Sequence, residues 1–301
     1  MPTPARDTVL AGIGWMVFTT FCFVGVTGIV RYVGSSIPAV EAAFIRYIIG
    51  VFLFVPFLRR ILTNRPSRQA MKFYIARGLV HGIGVILWFY AMARIPIAEV
   101  TALGYISPVF VAIGAAVFFG EKLHVRRVAA ISVALGGALI ILRPGFQEIS
   151  AGQLAQLCAA PLFAGSFLLT KRLTETESPL VIVVMLSIFC TLVLAPGAIA
   201  NWITPEPSEV FWLAMTAVCA TIGHYTMTRA FATAPLTVTQ PVGILQLVWA
   251  ALLGIVAFNE PVDPFVLAGG GVIVAAVTFI SHREARAAQR IKTPPAQATK
   301  E

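Results

Sequence analysis

Ten stretches of this chain, each about 20 mostly apolar residues long, follow one another with only short connections between them. They fall at roughly 9–30, 39–58, 73–93, 97–118, 124–142, 152–170, 179–200, 209–231, 237–257 and 264–281. A helix rises 1.5 Å per residue, so runs of this length match the hydrocarbon core of a bilayer. A backbone in lipid has no water to bond, and a helix satisfies its polar groups internally. The fold class that follows is an all-α integral membrane protein with ten transmembrane helices. Composition points the same way: 58% of residues are hydrophobic and only 12% are charged, about half the charged share of a soluble domain. The bilayer is therefore one expected partner.

The net charge of +9 does not argue for nucleic acid, because the charges sit in short loops and in the C-terminal tail. Ten spans put both ends of the chain on one side. Loops on that side hold 16 Lys and Arg, against three on the other: Arg31, Arg94 and Arg143. This asymmetry predicts cytoplasmic termini and, for a bacterial protein, residence in the inner (plasma) membrane. The start "MPTPARD" leads into a span without a small-residue cleavage site, so no cleaved signal is expected. Cys22, Cys158, Cys190 and Cys219 all lie in apolar runs without metal-ligand spacing, which predicts packing roles.

The chain repeats itself. At a shift of 139 residues Pro96 meets Pro235, Gly104 meets Gly243, Phe119 meets Phe258 and Glu121 meets Glu260. At a shift of 140, Ala11, Gly12, Phe23 and Gly25 meet Ala151, Gly152, Phe163 and Gly165. The expected organisation is a first five-span repeat at 9–142, a second at 152–281, and a basic cytoplasmic tail at 282–301. Five is odd, so the second copy enters the membrane from the opposite side. Such inverted repeats are typical of secondary transporters, whose sites lie near the midplane where the repeats meet.

The two units "FYAMARIPIAEVTALGYISPVFVAIGAAVFFGEKLHVRRVAAISVALGGALIILRPG" and "RAFATAPLTVTQPVGILQLVWAALLGIVAFNEPVDPFVLAGGGVIVAAVTFI" resemble the paired EamA domains of the drug/metabolite transporter superfamily. The resemblance covers residues 9–281. It implies ten helices, a central cavity and movement of small metabolites such as amino acids, nucleoside-like compounds and vitamins. It says little about substrate and nothing about direction.

Within the spans, the polar residues carry the expectations about a site. Thr101, Gly104 and Ser107 recur at i, i+3 and i+6, and their repeat counterparts are Gln240, Gly243 and Gln246. Small residues of this kind serve helix packing as readily as binding. A buried Gln amide costs several kcal/mol in hydrocarbon without partners, so Gln246 points to a wet or ligand-lined cavity. Pro108 removes one backbone bond and frees the carbonyl of Gly104, which makes Gly104, Pro108 and Gly243 candidate hinges. Tyr105, near mid-span, is placed to stack on a flat substrate.

Charges inside a membrane are candidates for function. Arg46 lies deep in span 2, with Glu41 and Glu99 as possible counter-charges across a cavity. Arg77 and His81 share a face of span 3, and His224 lies in the counterpart span. Arg46, His81, Tyr105, Ser107, His224 and Gln246 are thus the candidate substrate-binding residues, with Glu41, Glu99 and Arg77 as gate or ion-pair residues. No acidic residue falls at mid-membrane. No metal-ligand cluster, P-loop, HExxH or G-x-S-x-G occurs, so no cofactor, metal site or catalytic residue is expected. The expected activity is secondary, ATP-independent transport of a small polar metabolite by alternating access. Riboflavin or an amino acid or S-adenosylmethionine-like compound would suit a cationic, amide-rich, aromatic cavity, and the protein would act as a monomer or homodimer. The rival readings are a membrane sensor or scaffold of transporter ancestry, which would bind without moving its ligand, and an intramembrane enzyme. Spans 1–4 and 6–9 are expected to line the cavity, with spans 5 and 10 as support.

Overall fold

The computed structural model describes residues 6–56, 67–119, 125–173, 176–233, 242–243, 245–261 and 263–292. Among these the chain is helical, without a strand. Its helices are α1 (Arg6–Val33), α2 (Ala39–Leu53), α3 (Arg68–Met92), α4 (Ile97–Gly104), α5 (Ser107–Phe119), α6 (Val125–Leu142), α7 (Ala151–Leu173), α8 (Pro179–Ala200), α9 (Pro207–Thr233), α10 (Leu245–Phe258) and α11 (Pro264–Lys292). Seven helical stretches are long and apolar enough to cross a membrane, and Leu245–Phe258 and Pro264–Ile280 are shorter apolar helices. The remaining run, the second, holds α2, only 15 residues long. α11 continues past the predicted end of span 10 to Lys292.

Prolines and hydroxyls set where the helices begin. Pro38 and Pro96 cap α2 and α4. Ser67 accepts a hydrogen bond from the Ala70 amide at 3.1 Å, an N-cap that satisfies one of the orphan donors of α3. Left-handed residues end α6 and α10: Arg143 has φ 47° and Asn259 φ 51°. Asparagine tolerates this conformation better than most residues.

Large apolar side chains such as Phe18, Phe52, Leu79, Leu139, Leu192 and Val256 point outward and remain exposed. In water this would be a liability; facing acyl chains it costs nothing. The interior is filled by small and branched residues, with Ala43, Ala91, Ala134, Ala159 and Ala198 fully buried.

The helix pairing reflects the repeat. α1 packs along α9 and α3 along α7, and the shift that relates the halves exchanges these two pairs. α2 pairs with α8 and α6 with α11, each pair being its own counterpart. At the α6–α11 crossing the backbones touch. A Cβ on Gly137 would lie 2.8 Å from the Gly269 carbonyl oxygen, and one on Gly269 would lie 2.5 Å from that of Gly137. Close approach of this kind requires glycine on both sides.

Span 4 is not one regular helix but two, α4 and α5, with Ser107 opening the second. Pro108 offers no N–H to the Gly104 carbonyl. The backbone tightens instead through short-range bonds from Tyr105 to Ala102 at 3.2 Å, Ile106 to Leu103 at 3.1 Å and Val109 to Ile106 at 2.9 Å. Each spans three residues, the 3₁₀ pattern seen where helices change direction. The second repeat shows a similar bond, from the Gln246 amide to the Gly243 carbonyl at 2.9 Å.

Candidate functional site

Polar side chains gather at three levels of the bundle. The first is the loop end that carries Arg31, Arg94 and Arg143. The left-handed turn at Asn259 folds Glu260 back so that its amide bonds the Gly254 carbonyl at 2.9 Å. The Glu260 carboxylate then accepts a hydrogen bond from the Ile97 amide at 2.9 Å and pairs with the Arg31 guanidinium at 2.9 Å. Arg31 also donates to the Met92 carbonyl at 3.2 Å. Glu260 and Arg31 together therefore tie the ends of α1, α3, α4 and α10. Nearby, Arg143 pairs with Asp263 and the Gln153 amide donates to Glu99.

Glu41 and Glu99 do not neutralise Arg46, contrary to the sequence expectation. Glu41 is fully buried and accepts from the Ile203 amide at 3.0 Å, in the loop between α8 and α9. Glu99 is engaged by Gln153. Both sit in the first turn of a helix, so unpaired backbone N–H groups and loop partners claim them before a guanidinium further along α2 could.

The second level is a chain of hydrogen bonds across α2, α3, α7 and α8. His81 bonds the Ser166 hydroxyl through Nδ1 at 3.1 Å and the Tyr47 hydroxyl through Nε2 at 3.0 Å. Arg77 reaches inward rather than towards the membrane surface: its Nε donates to Ser166 at 3.4 Å and its Nη1 to the Ile182 carbonyl at 3.0 Å. The Arg46 guanidinium lies 4.5 Å from the centre of the Tyr47 ring, within cation–π range. Arg46, Tyr47, Ser187, Thr221 and His224 line a small cavity of about 30 Å³ between α2, α8 and α9.

The third level is a larger cavity, about 200 Å³, lined by Thr19, Thr20 and Phe23 of α1, Tyr105, Pro108, Met227, Gly243 and Gln246. The Tyr105 hydroxyl donates to the Gly243 carbonyl at 2.6 Å, which holds its ring in the wall of this cavity. Val274, Val277 and Thr278 of α11 also line this cavity. Span 10 is therefore part of the wall, not only a support. The two cavities meet where Phe23 turns its ring edge to His224, with centroids 5.2 Å apart.

The structure thus draws Arg46 and His224 to one cavity, with His81 and Arg77 joined to it through Tyr47 and Ser166. It draws Tyr105, Pro108, Gly243 and Gln246 to the other. Gly104 lies beside the second, where an added Cβ would meet the Gln156 amide nitrogen at 3.2 Å. Ser107 is buried at the start of α5 and does not contribute to the lining of this cavity. Gln240 falls outside the described residues. Sequence reasoning missed Tyr47, Ser166, Gln153 and Gln156. The two glutamines stand three apart in span 6, and the buried-amide argument applied to Gln246 would have found them. Among the described residues no group of His, Cys, Asp and Glu is placed to hold a metal ion.

Comparison with known proteins adds to this geometry. The model of the EamA-like transporter family matches twice, at residues 10–143 and 150–282. A riboflavin transporter of Rhizobium johnstonii is 29% identical over 94% of this chain and 94% of its own. An S-adenosylmethionine uptake transporter of Rickettsia bellii is 26% identical over 94% and 97%. A pseudopaline exporter of Pseudomonas aeruginosa is 27% identical over 91% and 97%. A solved crystal structure aligns with a TM-score of 0.58 over 95% of this chain and 99% of that one, at 18% identity, a likeness of fold alone.

Proposed function

We propose that this chain, which belongs to the EamA-like transporter family and is a transporter of small metabolites rather than an enzyme, works by alternating access without ATP. The site would be the pair of polar cavities between the repeats, and the state described would be closed towards the outside. The observation that carries this reading is the Glu260 clasp above a partly polar interior. A closed end over a cavity is what one of two alternating states requires, and an inverted repeat gives the opposite state a related packing.

Inner-membrane residence and cytoplasmic termini rest on the charge asymmetry of the loops. Riboflavin and S-adenosylmethionine or amino acid-like compounds remain the candidate substrates. The names of the relatives support that range without choosing within it, and they include uptake and export.

The test is counterflow in proteoliposomes. Vesicles holding purified protein and loaded with unlabelled riboflavin, S-adenosylmethionine or an amino acid mixture should accumulate the matching labelled compound transiently. Ligand-dependent thermal stabilisation without counterflow for any of them would favour a sensor. A requirement for ATP would remove the secondary mechanism.

A further inference from the structure

The unusual feature of the smaller cavity is its charge. Arg46 and Arg77 are two guanidiniums in the interior of a bilayer-spanning bundle, and both act electrostatically on His81 and His224. Among the described residues no carboxylate pairs with either arginine. The two ion pairs found there, Arg31–Glu260 and Arg143–Asp263, belong to the loop end. Arg77 is at least bonded, to a hydroxyl and a carbonyl. Arg46 is left partly unsatisfied: its Nε is buried and has no hydrogen-bond partner. A charge held this way is costly unless something compensates it, and its closest aromatic neighbour, the face of Tyr47, offsets only part of that cost.

We propose that the cavity at Arg46 is a subsite for the carboxylate of the transported metabolite. A carboxylate matches the planar fork of a guanidinium, accepting two parallel N–H bonds, and brings the missing negative charge. Ser187 and Thr221 also line the cavity; their hydroxyls now donate to the Val183 and Ala217 carbonyls of their own helices, at 3.2 and 2.8 Å. A hydroxyl rotates freely enough to turn towards an anion. At about 30 Å³ the cavity has room for little more than a carboxylate-sized head group, not a whole vitamin. The body of the substrate would lie beyond the Phe23–His224 contact, in the cavity lined by Met16, Met227, Tyr105 and Gln246. The substrate class is therefore a small organic acid or zwitterion with an apolar or heterocyclic body. This assignment rests on the transporter reading above.

The test uses matched pairs that differ only in charge: nicotinate and nicotinamide, tryptophan and tryptophanamide, 4-aminobenzoate and 4-aminobenzamide. Each is measured by thermal shift on the full chain and by counterflow in proteoliposomes. At least one acid should bind about tenfold more tightly than its amide, as expected of a charge-assisted contact. Arg46→Gln should erase that preference, and Arg46→Lys should keep part of it. Should Arg46→Gln fail to fold, Ser187→Asp provides a second route. A carboxylate fixed in the cavity should raise thermal stability and abolish the preference for acids. Equal binding of acids and amides, no binding of any pair, or a preference that survives Arg46→Gln would overturn the assignment. An acid that binds through Arg46 but never crosses would leave the subsite standing and remove transport. Equal flux of acids and amides, indifferent to Arg46, would do the reverse.

Discussion

Tyr105 and Gly243 join the two repeats: the Tyr105 hydroxyl, at the break in span 4, donates to the Gly243 carbonyl of the second repeat, 2.6 Å away. Gly243 is the repeat counterpart of Gly104, the residue just before Tyr105. The same carbonyl oxygen accepts from the Gln246 amide. Removing the hydroxyl leaves that oxygen with one partner. Tyr105→Phe should therefore lower stability by about 1 kcal/mol, read as a fall in melting temperature in detergent, and should slow counterflow. Unchanged melting and flux would mean that the contact does not couple the halves.

Gln246 lines the larger cavity with its side chain in a wall otherwise rich in apolar groups. Gln246→Leu keeps the approximate volume and removes the amide. It should reduce transport several-fold, about what the loss of one good hydrogen bond implies, while expression and melting stay near wild type. Normal transport kinetics would take Gln246 out of the site.

Glu260 and its partner Arg31 hold four helix ends between them. Glu260→Gln should loosen this end by leaving Arg31 without its counter-charge. A cysteine at Ala251, which lines the small cavity beneath Glu260, should then react several-fold faster with an impermeant maleimide applied from the outside. Paired exchange of Arg31→Glu with Glu260→Arg should slow the labelling again. Labelling that ignores both changes would show that the clasp does not control access.

Gly136 and Gly137 are neighbours with opposite surroundings. A Cβ on Gly136 meets nothing within 4 Å, whereas one on Gly137 meets the Gly269 carbonyl and Ile273. Gly136→Ala should be neutral or slightly stabilising, since alanine favours helix by about 1 kcal/mol. Gly137→Ala should destabilise by about 1–3 kcal/mol through overpacking. Similar melting temperatures for the two variants would place the α6–α11 crossing elsewhere.

The fold was legible in the apolar runs and in the repeat because both are one-dimensional signals. Partners were less legible. Arg46, Glu41 and Glu99 were visible as charges in spans, but which carboxylate meets which group depends on the turns at the loop end. There Ile203 and Gln153 engage Glu41 and Glu99 first. The break at Tyr105 had a cue in Pro108, yet a proline alone does not distinguish a kink from two helices. What separates them is a run of short-range bonds and a hydroxyl supplied across the repeat interface. Tyr47 was passed over beside the more conspicuous Arg46, although it is the residue that links Arg46 to His81.

Between the two cavities one ring meets another, Phe23 against His224. Rotation of a side chain is in general faster than movements of whole helices, which take microseconds to milliseconds. A substrate passing between the cavities would wait on the faster clock, and one leaving the bundle on the slower. Measured turnover would then report the opening of the ends, and enlarging the passage, for instance with Phe23→Ala, would change selectivity before it changed speed.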